Sequence, residues 1–355
     1  MPFLERVELS AALRYSGFDG SFDNLSYHAG AVWSPLPGLT LRATAASAFR
    51  APSIRDLFLG PQDDFPSIAD PCALRVGRLE SPLVAANCEA DGLGAGVQDD
   101  RTQLRQQRVG NPNLEPETAE TFGLGLVLED LPLRGLRLTL DYYDHVISDG
   151  IRVLEAREIL SACYDRDFRG FCDNVVRSSA GTIDSVLTPT VNASLVSARG
   201  LDASLRYQSP ETAAGRFGLG LDGTLALDLD FGSGSVVDSY SSGVQAAYRI
   251  QAFVDWAWRF LGANLQLRYL PGIDECPGGC LNTSQFRRVS DYLQLDLQLS
   301  AAFVTPLGTT RFSGGLLNLS DTEPPFVAVA FGPASDRRNY DFVGRQFYLR
   351  ITQAF

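Results

Sequence analysis

The 355-residue sequence contains no uninterrupted apolar run of about 18 residues, which excludes membrane-spanning helices. Its mean hydropathy of -0.03 is likewise too polar for a helical membrane bundle. Neither absence excludes a membrane, because a spanning β-strand needs only about 9 to 11 alternating residues. Positive charge is in deficit: 30 Lys and Arg against 42 Asp and Glu give a formal charge of -12, the wrong sign for a nucleic-acid partner. Histidine is rare, with only His28 and His145, and both sit in strand-like segments that suit packing or cavity lining better than metal binding. No Walker-type phosphate loop, G-x-S-x-G elbow or H-E-x-x-H occurs. The first twenty residues lack a basic stretch followed by an apolar one, so no signal peptide is expected there. The 3.6-residue period of amphipathic helices is nearly missing as well.

What the chain does have is alternation. With 45% hydrophobic residues it is too apolar for broad disorder. Leu219, Leu221, Gly223, Leu225, Leu227 and Leu229 alternate with Gly220, Asp222, Thr224, Ala226 and Asp228. The same design recurs at 136–143, 250–260 and 293–300. Roughly twelve strands are expected, near 5–16, 25–35, 39–49, 118–129, 134–149, 190–208, 215–229, 245–260, 263–270, 289–304, 309–319 and 343–355. Several exceed ten residues, long for a globular strand and long enough to cross a hydrocarbon layer when tilted.

Short Pro- or Gly-containing turns at 34–38, 130–135, 209–216, 260–262 and 305–308 alternate with long connections at 50–117, 150–189, 230–244, 271–288 and 320–342. Short turns on one side and long loops on the other describe an all-β, antiparallel up-and-down transmembrane β-barrel. A soluble β-sandwich also alternates, because one face of each sheet is solvated. The polar faces carry Asp, Arg and Gln beside small residues, which suits an aqueous lumen. A membrane-embedded hydrolase, with a triad drawn from separate strands, is a further alternative.

All six cysteines fall in the long connections: Cys72 and Cys88, Cys163 and Cys172, Cys276 and Cys280. Local pairing would staple three loops on an oxidising side, although six cysteines permit 15 connectivities. Zinc at "CPGGC", 276–280, would need further ligands that are not visible. The carboxylates of 64–72 and 91–100 have no EF-hand spacing and read as solvated loop acids.

In "GNPNLEPET", 110–118, Pro112 and Pro116 fix their own backbones and bias Asn111 and Glu115 toward extended conformations, while Asn111 and Asn113 favour local Asx-type bonds. The result is a preordered corner leading into a strand whose Phe122, Leu124, Leu126 and Leu128 share one face, opposite Thr121, Gly123 and Gly125. "NPNLEPETAETFGLGL" resembles the Asn-Pro-x-Leu-x-Pro-Glu signature of TonB-dependent outer-membrane receptors. "AASAFRAPSIRDLF", 45–58, resembles the Phe-Arg-Ala-Pro segment that precedes it in that family. The likeness continues through 136–151, through Asn192, Gly200 and Asp202, and ends in "YDFVGRQFYLRITQAF", 340–355, whose terminal Phe355 resembles an assembly signal of outer-membrane barrels.

The resemblance implies the C-terminal part of a 22-stranded receptor barrel over residues 1–355, with the plug domain absent and the chain a fragment or truncated product. Such receptors import scarce large solutes such as iron-siderophores, cobalamin or glycans across the Gram-negative outer membrane, without cofactor or covalent chemistry. Implied partners are outer-membrane lipid, the barrel assembly machinery, the imported solute and, in a full-length parent only, the TonB system. By the same likeness Arg50, Pro52, Asn111 and Glu117 are expected to gate or contact ligand. Pro112, Leu114, Pro116 and Phe355 are expected to be structural, and Asp99 and Tyr164 to face ligand from the loops. A passive small barrel channel is the alternative for the chain standing alone.

Overall fold

The computed structural model describes residues 5–18, 22–74, 81–94, 96–192, 195–232, 234–240, 243–275, 287–327 and 335–355. Twelve long strands form one antiparallel sheet in sequence order: β1 (Arg6–Phe18), β2 (Phe22–Leu36), β3 (Leu39–Arg50), β4 (Glu117–Glu129), β5 (Leu136–Ser148), β6 (Val196–Gln208), β7 (Arg216–Asp230), β8 (Tyr248–Trp258), β9 (Leu261–Leu270), β10 (Tyr292–Thr305), β11 (Gly308–Leu317) and β12 (Gln346–Ala354). The sheet is a path and not a ring: β1 pairs with β2, β12 pairs with β11, and no pairing among the described residues joins β1 to β12.

Register places the alternating side chains in two continuous layers. Leu41 lies opposite Leu126, Leu126 opposite Leu140, Leu205 opposite Leu221, and Leu265 opposite Leu297, so one face is an unbroken apolar field. Aromatic rows bound it. Trp33, Tyr207, Phe217, Trp256 and Phe303 lie toward the short turns, and Tyr27, Phe122, Tyr248 and Tyr269 toward the long loops. The eight residue-to-residue steps from Tyr248 to Trp256 span about 26 Å at the usual rise of a strand. The indoles of Trp256 and Trp258 donate to the turn carbonyls of Ala214 (2.8 Å) and Ala213 (3.1 Å), so each ring has a polar anchor and an apolar body.

The opposite face is polar and laced across strands. Arg42 makes a forked pair with Asp141 at 2.6 Å, Arg206 reaches Asp222 at 2.7 Å, Asn264 donates to Asp255 at 2.7 Å, and Tyr348 to Gln298 at 2.6 Å. Glycines make room for this layer. A Cβ on Gly125 would lie 2.3 Å from the Asp141 carboxylate, and one on Gly200 2.4 Å from the Tyr143 hydroxyl. Gly220 and Gly315 likewise sit directly opposite Phe253 and Tyr348, whose rings cover them.

Buried apolar side chains are found almost wholly outside this wall, in the long loops. One loop core gathers Cys72, Val84, Leu104, Ile159, Tyr164 and Val186 from the connections after β3 and β5. Around it, strands Gln62–Asp64, Gln106–Val109, Ile183–Asn192 and Ile151–Val153 form a second sheet, with Val175–Arg177 paired to Ile183–Asn192. Short helices α1 (Ile54–Phe58), α2 (Pro82–Ala90) and α3 (Ala156–Leu160) complete the module. A smaller core of Val244, Ile273, Val289, Val327 and Tyr340 joins the later loops.

Two expectations need correction. The strand expected over 190–208 is two elements: Ile183–Asn192 belongs to the loop sheet and Val196–Gln208 to the wall. Asn192 ends the first of them because its side chain is committed to three backbone bonds at the rim. The sorting of turns by side also has an exception, since β1 and β2 are joined on the long-loop side through only 19–21.

Candidate functional site at the barrel rim

The Phe-Arg-Ala-Pro and Asn-Pro-x-Leu-x-Pro-Glu segments meet at the mouth of the sheet, through Arg50 and Glu117, which are 67 residues apart. β3 ends at Arg50, directly opposite Glu117 at the start of β4. The Arg50 guanidinium donates to both Glu117 oxygens, at 2.5 and 3.1 Å, and to Asp56 at 3.3 Å. Glu117 also accepts the Ile151 N–H at 2.9 Å, so one carboxylate ties β3, β4 and the segment leaving β5. Such forked, charge-assisted bonds fix geometry more firmly than single ones.

Asp56 completes a reciprocal cap of α1: it accepts the Ser53 N–H at 2.9 Å while the Ser53 hydroxyl accepts the Asp56 N–H at 3.1 Å. Burial pushes the Asp56 carboxyl up, but the Ser53 donors and Arg50 outweigh it and hold the group below its ordinary value. The Asn111 N–H donates to the Asp56 carbonyl at 2.8 Å, and the Asn111 side chain accepts from Asn113 N–H at 2.9 Å, closing the expected Asx turn. Leu114 and Pro52 are buried, while Pro112 is exposed and Pro116 half-buried.

Asn192 is the fourth component, and its role was hidden in the sequence. Its amide accepts from Glu115 N–H and donates to the carbonyls of Glu115 and Asp149, each at 2.8 Å. Arg50, Glu117, Asp56 and Asn192 therefore form a latch fastening the loop module to the ends of β3, β4 and β5. Beside it the outer halves of β2 and β3 part, since their pairing ends at His28 and Ala46. The resulting cleft, about 1130 Å³, is lined by Arg14, Tyr27, His28, Phe49, Arg50 and Phe58 among others. Ile54 and Phe58, one turn apart on α1, stand exposed at its edge.

Asp99 and Tyr164, expected to face ligand, do not. Asp99 is buried against Arg101, which forks onto it at 2.6 and 2.9 Å and also donates to the Ile183 carbonyl; the Arg101 bond holds its carboxyl below the ordinary value. Tyr164 is wholly buried in the loop core. Its hydroxyl donates to Asp91 at 2.7 Å and accepts from Arg177, whose guanidinium forks onto buried Asp70 at 2.6 and 2.9 Å. Burial, reinforced by the bond to Asp91, pushes the phenol up to about 12. Neither Asp70 nor Arg177 stands out in sequence, because their 107-residue separation leaves no local pattern.

Two of the expected disulfides are formed, Cys72–Cys88 and Cys163–Cys172. Cys276 and Cys280 lie outside the described residues. The closely placed Asp91, Cys163 and Cys172 do not make a metal site, since both sulfurs are consumed in a disulfide. Phe355 follows the last wall strand and is fully exposed.

The family model described as "TonB dependent receptor-like, beta-barrel" matches residues 1–319, and the chain belongs to that family. Among solved structures, a ferric enterobactin receptor from Pseudomonas aeruginosa is 18% identical with a TM-score of 0.62, the match covering 100% of this chain and 43% of that one. The siderophore receptor PirA from Acinetobacter baumannii is 14% identical at 0.63, covering 98% and 43%. The FrpB iron transporter from Neisseria meningitidis is 14% identical at 0.55, with the same coverage. The chain thus spans less than half the length of these receptors, and at such identities the likeness is one of fold. No curated protein matches.

Proposed function

We propose that this chain forms the wall and outer loop module of a TonB-dependent receptor barrel in the Gram-negative outer membrane, and that it serves import of a large solute, with a metal chelate as the favoured class. The observation that carries the reading is the uncovered apolar face. It is a field of Leu, Phe and Val bounded by aromatic rows about 26 Å apart, close to the band an outer-membrane barrel presents to lipid. A β-sandwich would bury those side chains under a second sheet, yet Leu124, Leu219 and Leu265 keep 47%, 43% and 40% of their surface.

The solute class draws support from the receptors named above, which are described as siderophore receptors or an iron transporter. The rim cleft adds a local reason: Arg14 and Arg50 lie near the exposed Phe58, a combination that suits a solute both anionic and aromatic. Within this reading the latch sets the position of the loop module over the lumen. The TonB system, the barrel assembly machinery and lipid are the proposed partners, and no covalent step is assigned. The test is fractionation followed by binding. The chain is expected in the outer membrane, extractable only with detergent and heat-modifiable in gel mobility, and a ferric catecholate chelate should quench its fluorescence. A monodisperse species without detergent refutes the membrane assignment; membrane residence without quenching refutes the solute class.

A further inference from the structure

We infer that the short-turn end of β8 to β11 is a binding site for an anionic phospholipid of the inner leaflet, with Arg259 holding the headgroup phosphate and a furrow floored by Ala301 and Gly314 taking an acyl chain. The inference rests on the lipid-facing reading above, under which the short turns lie on the periplasmic side.

The headgroup half is built on Arg259. It opens the two-residue turn between β8 and β9 with φ of 52°. Left-handed positions in such turns ordinarily take Gly, Asn or Asp, so an Arg here goes against the turn chemistry, and breaches of a local rule concentrate at functional sites. Its guanidinium lies 4.6 Å from the centroid of the Trp258 ring, which itself stacks on Trp256. Both indole N–H groups are committed to turn carbonyls, so the rings form a fixed platform under the cation. Arg259 is exposed and makes no ion pair among the described residues, in a chain whose net charge is -12. A free cation on an indole at the membrane boundary is complementary to a lipid phosphate.

Register makes the acyl-chain half. On the outward face Leu261, Ala301 and Phe312 stand in one row, and Leu299, Gly314 and Leu349 in the next. Ala301 and Gly314, diagonal neighbours, are too small to fill these rows and leave a furrow of about 380 Å³ between the larger side chains. Phe312, Phe303 and Phe260 follow in series, with ring centroids 6.4 and 5.2 Å apart, and carry the apolar path from the furrow to the turn of Arg259. The four steps from Leu299 to Phe303 cover about 13 Å, close to one leaflet's half of a roughly 30 Å hydrocarbon layer.

The test places the full chain in nanodiscs holding equal amounts of phosphatidylglycerol and phosphatidylcholine, and weighs the lipids it retains on release by native mass spectrometry. Phosphatidylglycerol is expected to be retained preferentially. Arg259→Gln should lower that retention about five-fold, the weight of one arginine at an anionic lipid surface. Arg259→Lys should restore most of it, and Ala301→Leu, which fills the furrow, should lower retention of both lipids. Arg134→Gln, at an exposed cation of another short turn, should change nothing. Equal retention of the two lipids by the unsubstituted chain, equal losses from Arg259→Gln and Arg134→Gln, or full retention in Ala301→Leu overturns the inference. A chain that never enters nanodiscs refutes the lipid-facing reading, and this inference with it.

Discussion

The wall and the loop module are built on opposite rules. In the wall, apolar side chains point away from the polar layer and are left uncovered, while Arg42–Asp141 and Arg206–Asp222 line the other face. In the module, apolar residues turn inward around Ile159, Leu160 and Tyr164, as in any small water-soluble domain, and two disulfides staple them. One chain thus solves two solvent problems. On the proposed reading lipid covers the wall's apolar face, whereas the module supplies its own core and is expected to unfold independently of the wall.

The largest test of that independence is Arg177→Leu. It would leave buried Asp70 without its cation, an uncompensated charge worth about 3–5 kcal/mol. Protease cutting between 60 and 110 is expected to rise sharply, while the far-ultraviolet strand signal and heat-modifiable mobility stay unchanged. Simultaneous loss of both signals would show that wall and module form one cooperative unit.

A smaller effect is expected from Cys72→Ala with Cys88→Ala, which removes a staple of typically about 2–4 kcal/mol. The same protease assay measures it, and non-reduced peptide mass spectra of the unaltered chain should link Cys72 to Cys88 and Cys163 to Cys172. Arg50→Ala should cost only about 1 kcal/mol, because Arg50 is half exposed and such pairs are screened by water. Its signature is positional: a spin label on α1 should gain mobility while labels on β4 do not.

The smallest effect is that of pH. The carboxyls of Asp56 and Asp99 are held below their ordinary value of 3.8, so their contribution is complete above that value and lost as the pH falls through the folded-state values. The module should therefore loosen in acid before the wall does, measured by hydrogen exchange at 53–60 and 97–104. An acid response beginning in the wall would reverse the comparison.

Legibility in the sequence divides along the same line. The wall was readable because alternation is local: Leu219 to Leu229 declares its face without reference to any other segment. Rim geometry was half readable. The corner at 110–117 follows from its prolines and asparagines, whereas the pairing of Glu117 with Arg50 requires β3 and β4 to be neighbours. The strand break after Asn192 was hidden because its three backbone partners lie 43 to 77 residues away. The module was legible only in its two local disulfides, and Tyr164 was misplaced because nothing near it in sequence signals that Asp91 and Arg177 enclose its hydroxyl.

The most direct measurement places a fluorophore at Leu221 or Leu295, and in separate variants at Asp222 or Gln251, then compares quenching by brominated acyl chains with quenching by a water-soluble ion. Leu221 and Leu295 should be quenched by the lipid and shielded from the ion, and Asp222 and Gln251, opposite each other on the polar face, should show the reverse. If the leucine positions escape the brominated chains, they are covered by protein, and the membrane wall is contradicted.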